Sequence, residues 1–373
     1  MMNVPKIRFS KYNYEWNYDP LNKYVERIVR KNKNKESDLV LTISAQYGLV
    51  DQCTFFNRNV SSSNLDGYYL LYNGDFAYNK SYSNGYPWGA VKRLNLYDKG
   101  VVSSLYICFN TNTLIDSDYL QHYFETNKWY SQISSISVEG ARNHGLLNIA
   151  VNDFFNTEHF FPTLAEQKDI AKVLNLLDKK IELQSKKIED LKLFKLYIRN
   201  KIFSGIKTKD KIINTLNYEQ PNRYIVKSDD YLNDENLIPV LTANKAFILG
   251  YCNEDDYYNK GDVIIFDDFT MDSKYVNFNF KIKSSAIKLL TQKNNNNLKY
   301  IFECLQALNL ESTEHKRHYI SIVQEIEIPV PDIIVQNKIA KLMFTYDKKI
   351  KLESDNYNKL IELKKGLMQN MFV

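Results

Sequence analysis

The sequence contains few cysteines, and their spacing excludes two kinds of small cross-linked domain. Four cysteines occur in 373 residues, and no two of them form a CxxC pair. Zinc sites commonly use CxxC pairs and disulfide frameworks need many cysteines in a short chain, so the sequence predicts neither. We expect buried free thiols, the usual state of cysteine in a reducing cytoplasm. The four are Cys53, Cys108, Cys252 and Cys304.

Long apolar runs are also absent. No stretch of about 18 apolar residues occurs, which argues against a membrane-spanning helix. The first residues, Met1–Lys6, lack the apolar core of a signal peptide. We therefore expect a cytoplasmic protein that has no membrane partner.

The motifs of several enzyme classes are missing. There is no GxxxxGK[ST] phosphate loop, no glycine-rich cofactor loop and no Asn-Pro-Pro-aromatic or Asp-Pro-Pro-aromatic run. The acid pairs Asp255–Asp256 and Asp267–Asp268 could suggest a nuclease metal site, but paired acids in loops are more often solvated. No histidine has a partner at metal-binding spacing. The sequence therefore predicts no catalytic centre, no metal and no cofactor bound by this chain, and it favours a binding role.

The positive charge is concentrated in two segments. The chain has a net charge of +5, of which residues 164–205 carry +4 and residues 331–373 carry +3, leaving −2 for the rest. The larger segments therefore cannot bind a partner through bulk electrostatics alone.

One motif occurs twice, 169 residues apart and without a gap. A repeat of this density indicates duplicated architecture. In the first copy the matching residues are Pro162, Gln167, Ile170–Lys172, Asp178–Ile181, Leu183, Leu191, Lys195 and Phe203. In the second copy they are Pro331, Gln336, Ile339–Lys341, Asp347–Ile350, Leu352, Leu360, Lys364 and Phe372.

Both copies have apolar residues at alternating steps of four and three, which is the pattern of a coiled coil. Polar interruptions fall at equivalent places, Gln184 with Glu353 and Lys195 with Lys364. We expect the two helices to pack on each other in antiparallel orientation. The predicted contact residues are Ile170, Leu174, Leu177, Ile181, Ile188, Leu191, Ile339, Met343, Tyr346, Ile350, Tyr357 and Leu360.

The repeat predicts an α+β protein with pseudo-two-fold symmetry. Residues 1–162 form a first domain, 163–205 a first helix, 206–330 a second domain and 331–373 a second helix. The two domains should be copies of one small mixed fold, because four pairs of short segments keep the same order in both. The pairs are Val40–Ala45 with Val240–Asn244, Asn73–Phe76 with Lys260–Val263, Ser103–Ile107 with Ser284–Lys288, and Leu147–Ile149 with Tyr319–Ser321.

Composition predicts several local elements within the domains. Val101–Phe109 and Val263–Phe266 are β-branched and aromatic, as strands are. Tyr119–Phe124 and Leu298–Leu308 have the pattern of short helices. Asn294–Asn297 is most simply an exposed loop. Turns are expected at Asn73–Gly74, Asn84–Gly85 and Lys260–Gly261.

Polar and aromatic clusters in both domains suit contact with nucleic acid. Arginine and lysine can bind guanine and asparagine can bind adenine through paired hydrogen bonds, and the same side chains bind phosphates. For each residue taken alone an ordinary surface loop is the better explanation, but for the set as a whole contact with DNA is. The candidates are Lys80, Tyr82, Asn84, Trp88, Arg142, Asn143, His144, Asn244, Lys245, Lys274, His315, Lys316 and Arg317.

The alternation of variable domain and Pro-x(4)-Gln-x(2)-Ile-Ala-Lys helix, occurring twice, resembles the specificity subunits of type I restriction-modification systems. Three segments add to the resemblance: Val4–Phe9 with Trp16, Leu164–Gln167, and Lys364–Gln369. The second helix departs from the family at Val335–Gln336, where Glu-Gln is usual. The resemblance covers nearly the whole chain, and the helix motifs are its specific part.

The resemblance implies that each variable domain is a target-recognition domain for one half of a split double-stranded DNA site. It implies that the helices dock two modification subunits, which use S-adenosylmethionine to methylate adenine. Separate restriction subunits would use ATP and Mg for translocation and cleavage. The alternatives are the specificity subunit of a methylation-only complex, a structural adaptor joining two protein-binding domains, and a fused methyltransferase or nuclease.

Overall fold

A computed structural model describes residues 4–56, 65–83, 85–137, 147–243, 246–311 and 318–373. The chain divides into two compact units. Unit 1 is residues 1–184 together with 356–373, and unit 2 is residues 185–355. Each unit therefore contains one small domain and a part of each long helix, whereas the predicted domain boundaries keep each helix whole. Those boundaries stay a prediction.

Unit 1 contains short strands and helices followed by a long helix. Its strands are β1 (Asn17–Pro20), β2 (Val25–Arg27), β3 (Leu41–Ser44), β4 (Gly48–Asp51), β5 (Tyr69–Tyr72), β6 (Phe76–Asn79), β7 (Ala90–Arg93), β8 (Lys99–Val102), β9 (Ile107–Thr111) and β10 (Glu158–Phe161). Its helices are α1 (Gln52–Phe56), α2 (Ser117–Phe124), α3 (Tyr130–Ile136), α4 (Val151–Phe155) and α5 (Leu164–Ser204), with a 3-10 turn at Leu21–Lys23. The second half of α5 belongs to unit 2.

Unit 2 has the same kinds of element in a similar order. Its strands are β11 (Lys209–Lys211), β12 (Leu216–Glu219), β13 (Ile238–Leu241), β14 (Ile248–Cys252), β15 (Val263–Asp267), β16 (Ser273–Val276), β17 (Lys281–Ile282), β18 (Ile287–Gln292) and β19 (Glu327–Pro329). Its helices are α6 (Ile212–Thr215), α7 (Leu298–Ala307) and α8 (Ile333–Asn370), with 3-10 turns at Asn222–Tyr224 and Val323–Glu325. The last part of α8 belongs to unit 1.

The two units share one sheet topology. The central four-stranded sheet has the order β2-β9-β6-β7 in unit 1 and β12-β18-β15-β16 in unit 2, with every neighbouring pair antiparallel. In both units an outer pair joins the start of the domain to its end, β1 with β10 and β11 with β19. The predicted mixed fold, with its internal duplication, is confirmed.

The two long helices begin after residues that can cap a helix, and the first one ends at a glycine. Thr163 precedes α5, and its side-chain oxygen accepts from the amide of Glu166 at 3.4 Å. Asp332 precedes α8 and accepts from the amide of Val335 at 3.0 Å. Side-chain oxygens at these positions satisfy amides that have no partner within a helix. Neither helix contains a proline, and Gly205 directly follows the end of α5.

The residues at the predicted helix-contact positions are buried or half-buried, while most of their helix neighbours are exposed. Two ion pairs within unit 2 set the local direction: Lys187 contacts Glu353 at 2.6 Å, and Lys195 contacts Asp347 at 2.6 Å. The numbers rise along α5 as they fall along α8, so the two segments run antiparallel there. The role of the full set as a coiled-coil interface stays a prediction.

The small domains hold their helix segments through apolar cores. In unit 1, Ile170, Ala171 and Leu174 of α5 lie in the main core with Met371 and Phe372. In unit 2 the corresponding residues of α8 do the same, and these are Ile339, Ala340 and Met343. The repeated Ile-Ala pair is therefore buried against its own domain in both units.

Three local predictions are wrong. Val101–Phe109 is not one strand, because β8 ends at Val102 and a turn follows in which the Ser103 hydroxyl accepts from the amide of Leu105 at 3.3 Å. Asn294–Asn297 is not simply exposed. Asn296 is buried, and the Asn297 side chain caps α7 by accepting from the amide of Tyr300 at 2.9 Å.

The third correction concerns the cysteines. Three of the cysteines are buried and free: Cys108, Cys252 and Cys304. Cys53 is exposed and lies on α1, a short helix that buries none of its residues. The other local predictions hold: α2 and α7 occupy the predicted helical segments, β15 the predicted strand, and Gly74 and Gly261 adopt positive φ in their turns. Within the described ranges, no helix combines 18 or more residues with the hydropathy of a membrane span.

Candidate nucleic-acid interface

One end of the unit 1 sheet brings Lys80 of one predicted cluster into contact with the segment that begins at Leu147. Lys80 directly follows β6, and its backbone oxygen accepts from the amide of Leu147 at 2.7 Å. The Lys80 ammonium donates to the backbone oxygen of Ile149 at 3.0 Å. The chain that leaves β6 after Lys80 and the chain that returns at Leu147 therefore meet here.

Unit 2 uses the same arrangement with the opposite charge. Asp268 directly follows β15, and its backbone oxygen accepts from the amide of His318 at 3.1 Å. The Asp268 carboxylate also accepts from the amides of His318 and Tyr319 at 2.9 and 2.8 Å. A lysine that donates to a backbone oxygen in unit 1 is thus replaced in unit 2 by an aspartate that accepts from backbone amides.

The other described candidates lie close to these sheet ends along the chain. The side chain of Tyr82 is 60% exposed and available to a ligand. Trp88 is half-buried against the unit 1 core, and its backbone oxygen accepts from the Tyr78 hydroxyl at 2.7 Å. Lys274 is half-buried on the edge strand β16, one residue beyond Ser273, which pairs with Phe266.

Nine of the predicted contact residues lie outside the described residues. They are Asn84, Arg142, Asn143, His144, Asn244, Lys245, His315, Lys316 and Arg317. The described chain on either side shows where three of these segments attach. Leu147 joins Lys80, His318 joins Asp268, and the amide of Thr242 donates to the backbone oxygen of Phe247 at 3.0 Å. Their contact with DNA stays a prediction.

The acid pairs have structural partners. The carboxylate of Asp267 accepts from the amides of Phe269 and Thr270, which closes the turn after β15. The backbone oxygen of Asp255 accepts from the Lys281 ammonium at 3.0 Å, and Asp256 lies 3.7 Å from Arg223. Among the described residues, no group of three or more His, Cys, Asp or Glu side chains could hold a metal ion.

A buried glutamine ties α5 to the unit 1 domain. The Gln167 side chain accepts from the amide of Asp116 at 2.8 Å and donates to the backbone oxygen of Pro162 at 2.9 Å. Asp116 is the residue that caps α2, since its carboxylate accepts from the amide of Tyr119. One side chain therefore joins the start of α2 to the start of α5.

The repeated glutamine has the same partners in unit 2. Gln336 accepts from the amide of Asn297 and donates to the backbone oxygen of Pro331, both at 2.9 Å. It also donates to the side chain of Asn296 at 2.9 Å. The repeat could have predicted this joint, because it contains both Pro and Gln, but the capping residues Asp116 and Asn297 lie outside it.

Equivalent ion pairs join the two long helices within each unit. Lys195 contacts Asp347 at 2.6 Å in unit 2, and Lys364 contacts Asp178 at 2.5 Å in unit 1. Each residue of one pair lies 169 positions from its counterpart in the other. The positively charged residue that interrupts each apolar seam is therefore paired.

The pair in unit 2 belongs to a larger buried network. Glu303 of α7 is fully buried and contacts Lys195 at 2.9 Å and Lys299 at 3.4 Å. Lys299 also contacts Asp347 at 2.9 Å. The pKa of Asp347 lies below its ordinary value because both lysines stabilise the carboxylate, and this outweighs the opposing effect of burial.

Unit 1 has two buried histidines, His159 on β10 and His122 on α2. His159 lies between the hydroxyls of Tyr123 and Thr157, 2.8 Å from each, and burial lowers its pKa to about 3. Burial also lowers the pKa of His122, which contacts the Asn175 side chain at 2.8 Å. Neither imidazole favours the charged form at neutral pH, so both act as neutral structural groups.

A protein-family comparison matches the second half of the chain to a known domain. The model described as "Type I restriction modification DNA specificity domain" matches residues 202–363. Residues 202–363 are therefore similar to type I restriction-modification DNA specificity domains, and the resemblance inferred from the repeated helix is confirmed.

One curated relative is the type I restriction enzyme EcoR124I/EcoR124II specificity subunit of Escherichia coli. It is 44% identical over 140 residues, which cover 34% of this chain and 34% of the relative. The matched part thus spans about a third of the relative's length.

Two solved structures share the fold over nearly the whole chain. The type I restriction-modification system S subunit from M. genitalium has a TM-score of 0.63 at 16% identity and covers 99% of both chains. A chain from a study of complex assembly and conformational transition of the type I R-M system has a TM-score of 0.56 at 14% identity, and it covers 98% of this chain and 99% of its own.

Proposed function

We propose that this chain is the DNA-specificity subunit of a type I restriction-modification complex and that each unit reads one half of a bipartite site. The observation that carries this proposal is the duplicated attachment of a domain to a long helix. Two domains of one topology are each tied to a long helix by a repeated glutamine, Gln167 or Gln336. Two copies of one reader suit a DNA site made of two parts.

The chain itself does no chemistry in this proposal. Two modification subunits that dock on the long helices supply S-adenosylmethionine-dependent adenine methylation, and restriction subunits supply the ATP- and Mg-dependent steps in the cytoplasm. The net charge of −2 outside the two helical segments supports this division. Domains without surplus positive charge must share the neutralisation of DNA phosphates with their partners.

A binding selection with and without the partner tests the proposal. The chain is purified alone and with its modification subunit, and each sample selects from a library of genomic duplexes at one fixed salt concentration. We expect only the complex to enrich a common sequence, because a specific complex adds base contacts to the salt-dependent phosphate term. Enrichment of no sequence by either sample contradicts the proposal.

The same selection separates the alternatives. A methylation-only complex binds the same sites, but no restriction subunit joins it. A structural adaptor leaves the DNA preference of the partner unchanged. A chain with catalytic activity of its own would bind S-adenosylmethionine without the partner, which isothermal titration measures directly.

A further inference from the structure

A small cavity opens at the end of the unit 1 sheet where Lys80 follows β6. Its volume is about 150 Å³. One water needs about 10–15 Å³ of such space, so the cavity has room for several water-sized groups and can take a phosphate. The lining comes from the ends of β2 and β6, the start of β5 and the turn between β8 and β9.

Two positively charged side chains line this cavity. The guanidinium of Arg27 is exposed, and it forms no ion pair with any residue in the described part of the chain. The Lys80 ammonium uses one hydrogen on the backbone oxygen of Ile149 at 3.0 Å. An ammonium has three donors, so two remain for a ligand.

The rest of the lining suits a phosphate group. Tyr69, Ser104 and Tyr106 carry hydroxyls, which can donate to phosphate oxygens. None of the described residues around the cavity is acidic. The carboxylate of Asp75, which acts on the lining residue Cys108, is already bonded to Arg30 and to the amide of Tyr72.

Unit 2 has no positive charge at the corresponding positions. Phe109 pairs with both Phe76 and Arg27, and Leu290 pairs with both Ile264 and Tyr218. Tyr218 therefore occupies in unit 2 the strand position that Arg27 has in unit 1. Lys80 corresponds to Asp268, because both follow the equivalent strand and bond the returning chain. The positively charged cavity is therefore specific to unit 1.

We propose that this cavity binds one phosphate of the DNA backbone, with Arg27 and Lys80 as the charged ligands. The inference rests on the proposed DNA-reading function and adds a fixed contact to it. Charge-assisted hydrogen bonds to a phosphate set position and orientation rather than base preference. Unit 1 thus anchors its half-site at a phosphate for which unit 2 has no counterpart.

The test measures how the DNA affinity of the complex with the modification subunit depends on salt concentration. The duplex carries the sequence that this complex methylates. Arg27→Gln removes the charge, Arg27→Lys keeps it, and Arg223→Gln is the control, because the Arg223 side chain is 74% exposed and lies outside the cavity. Losing one phosphate contact makes the negative slope of log K against log salt shallower by about 0.9. We expect that change for Arg27→Gln alone.

A neutral methylphosphonate, placed at one backbone position after another, locates the contact. Among the positions at which the wild-type complex loses affinity, one position in one half-site should cost Arg27→Gln nothing more, because both changes remove the same interaction. A selective wild-type complex whose salt slope Arg27→Gln leaves unchanged overturns the cavity proposal only. A wild-type complex that binds every duplex equally overturns the DNA-reading function as well.

Discussion

Buried amide side chains at the helix joints make a prediction about single residues. In Gln167→Ala or Gln336→Ala, a backbone oxygen and a backbone amide lose their partner. A buried group left without a hydrogen bond costs about 1–3 kcal/mol, so we expect each variant to lower the free energy of unfolding by at least about 2 kcal/mol.

Urea denaturation of the full chain measures the effect of these substitutions. Gln369→Ala is the matched control, because Gln369 is exposed near the end of α8. It should change the free energy of unfolding by less than about 0.5 kcal/mol. Equal values for Gln369→Ala and Gln167→Ala would show that the joint contributes nothing.

A second prediction at this scale concerns acid pH. The pKa of His159 is lowered to about 3 by burial, whereas the unfolded chain keeps a value of about 6.5. Between these values the unfolded state binds a proton that the folded state does not, so stability falls as the pH drops below 6.5. The loss between pH 7.5 and 5.5 is about 1.4 kcal/mol for this one group.

His159→Gln tests this directly, because glutamine has no titration in that range. The wild-type protein should lose about 1.4 kcal/mol more than the variant when the pH is changed from 7.5 to 5.5. The comparison is made within each protein, so any change in overall stability cancels. Identical losses in the two proteins would mean that His159 is not buried in its neutral form.

The pairing of the two helices leads to a prediction at the scale of elements. Asp178 of α5 contacts Lys364 of α8 at 2.5 Å. Reversing either charge alone, with Asp178→Lys or Lys364→Asp, places like charges together and should destabilise unit 1. Reversing both should recover most of the loss, with a coupling energy of about 0.5–1 kcal/mol because the pair is only partly buried.

Unfolding of the four proteins in this cycle gives the coupling energy. The matched control is the same cycle on Lys179 and Glu182, which are exposed on one helix and 2.8 Å apart. Its coupling should not exceed about 0.5 kcal/mol. A double reversal of Asp178 and Lys364 that is no better than the single changes would contradict the antiparallel register.

The sequence predicts the long elements better than the short ones, for a physical reason. The limits of α5 and α8 follow from local signals, since prolines precede them and capping side chains start them. The turn between β8 and β9 is closed by hydrogen bonds to the side-chain and backbone oxygens of Ser103. Asn297, which caps α7, is held by Gln336, a distant partner. Such contacts leave no periodic pattern.

The candidate interface was predictable only in part. Lys80 lies in a cluster that composition alone marks out, and the structure places it at the sheet end where the Leu147 segment returns. Arg27 had no such signal. It lies in a short strand, 53 positions before Lys80, and only the pairing of β2 with β9 brings it to the same cavity.

At the scale of the whole molecule, duplication is the central feature. Both units use one sheet order, one outer strand pair and one glutamine joint, yet they differ in charge at the sheet end that carries Lys80 in unit 1 and Asp268 in unit 2. Two domains of one fold with different surfaces suit the proposed DNA site, whose two parts would differ in sequence.

Sequencing methylated adenines in a host that expresses this chain with its modification subunit tests that claim most directly. We predict one methylated motif made of two short, different sequences separated by a spacer of fixed length, and a change in one of the two when residues 206–330 are replaced by another recognition domain. A single continuous motif, or no motif that depends on this chain, would contradict the account.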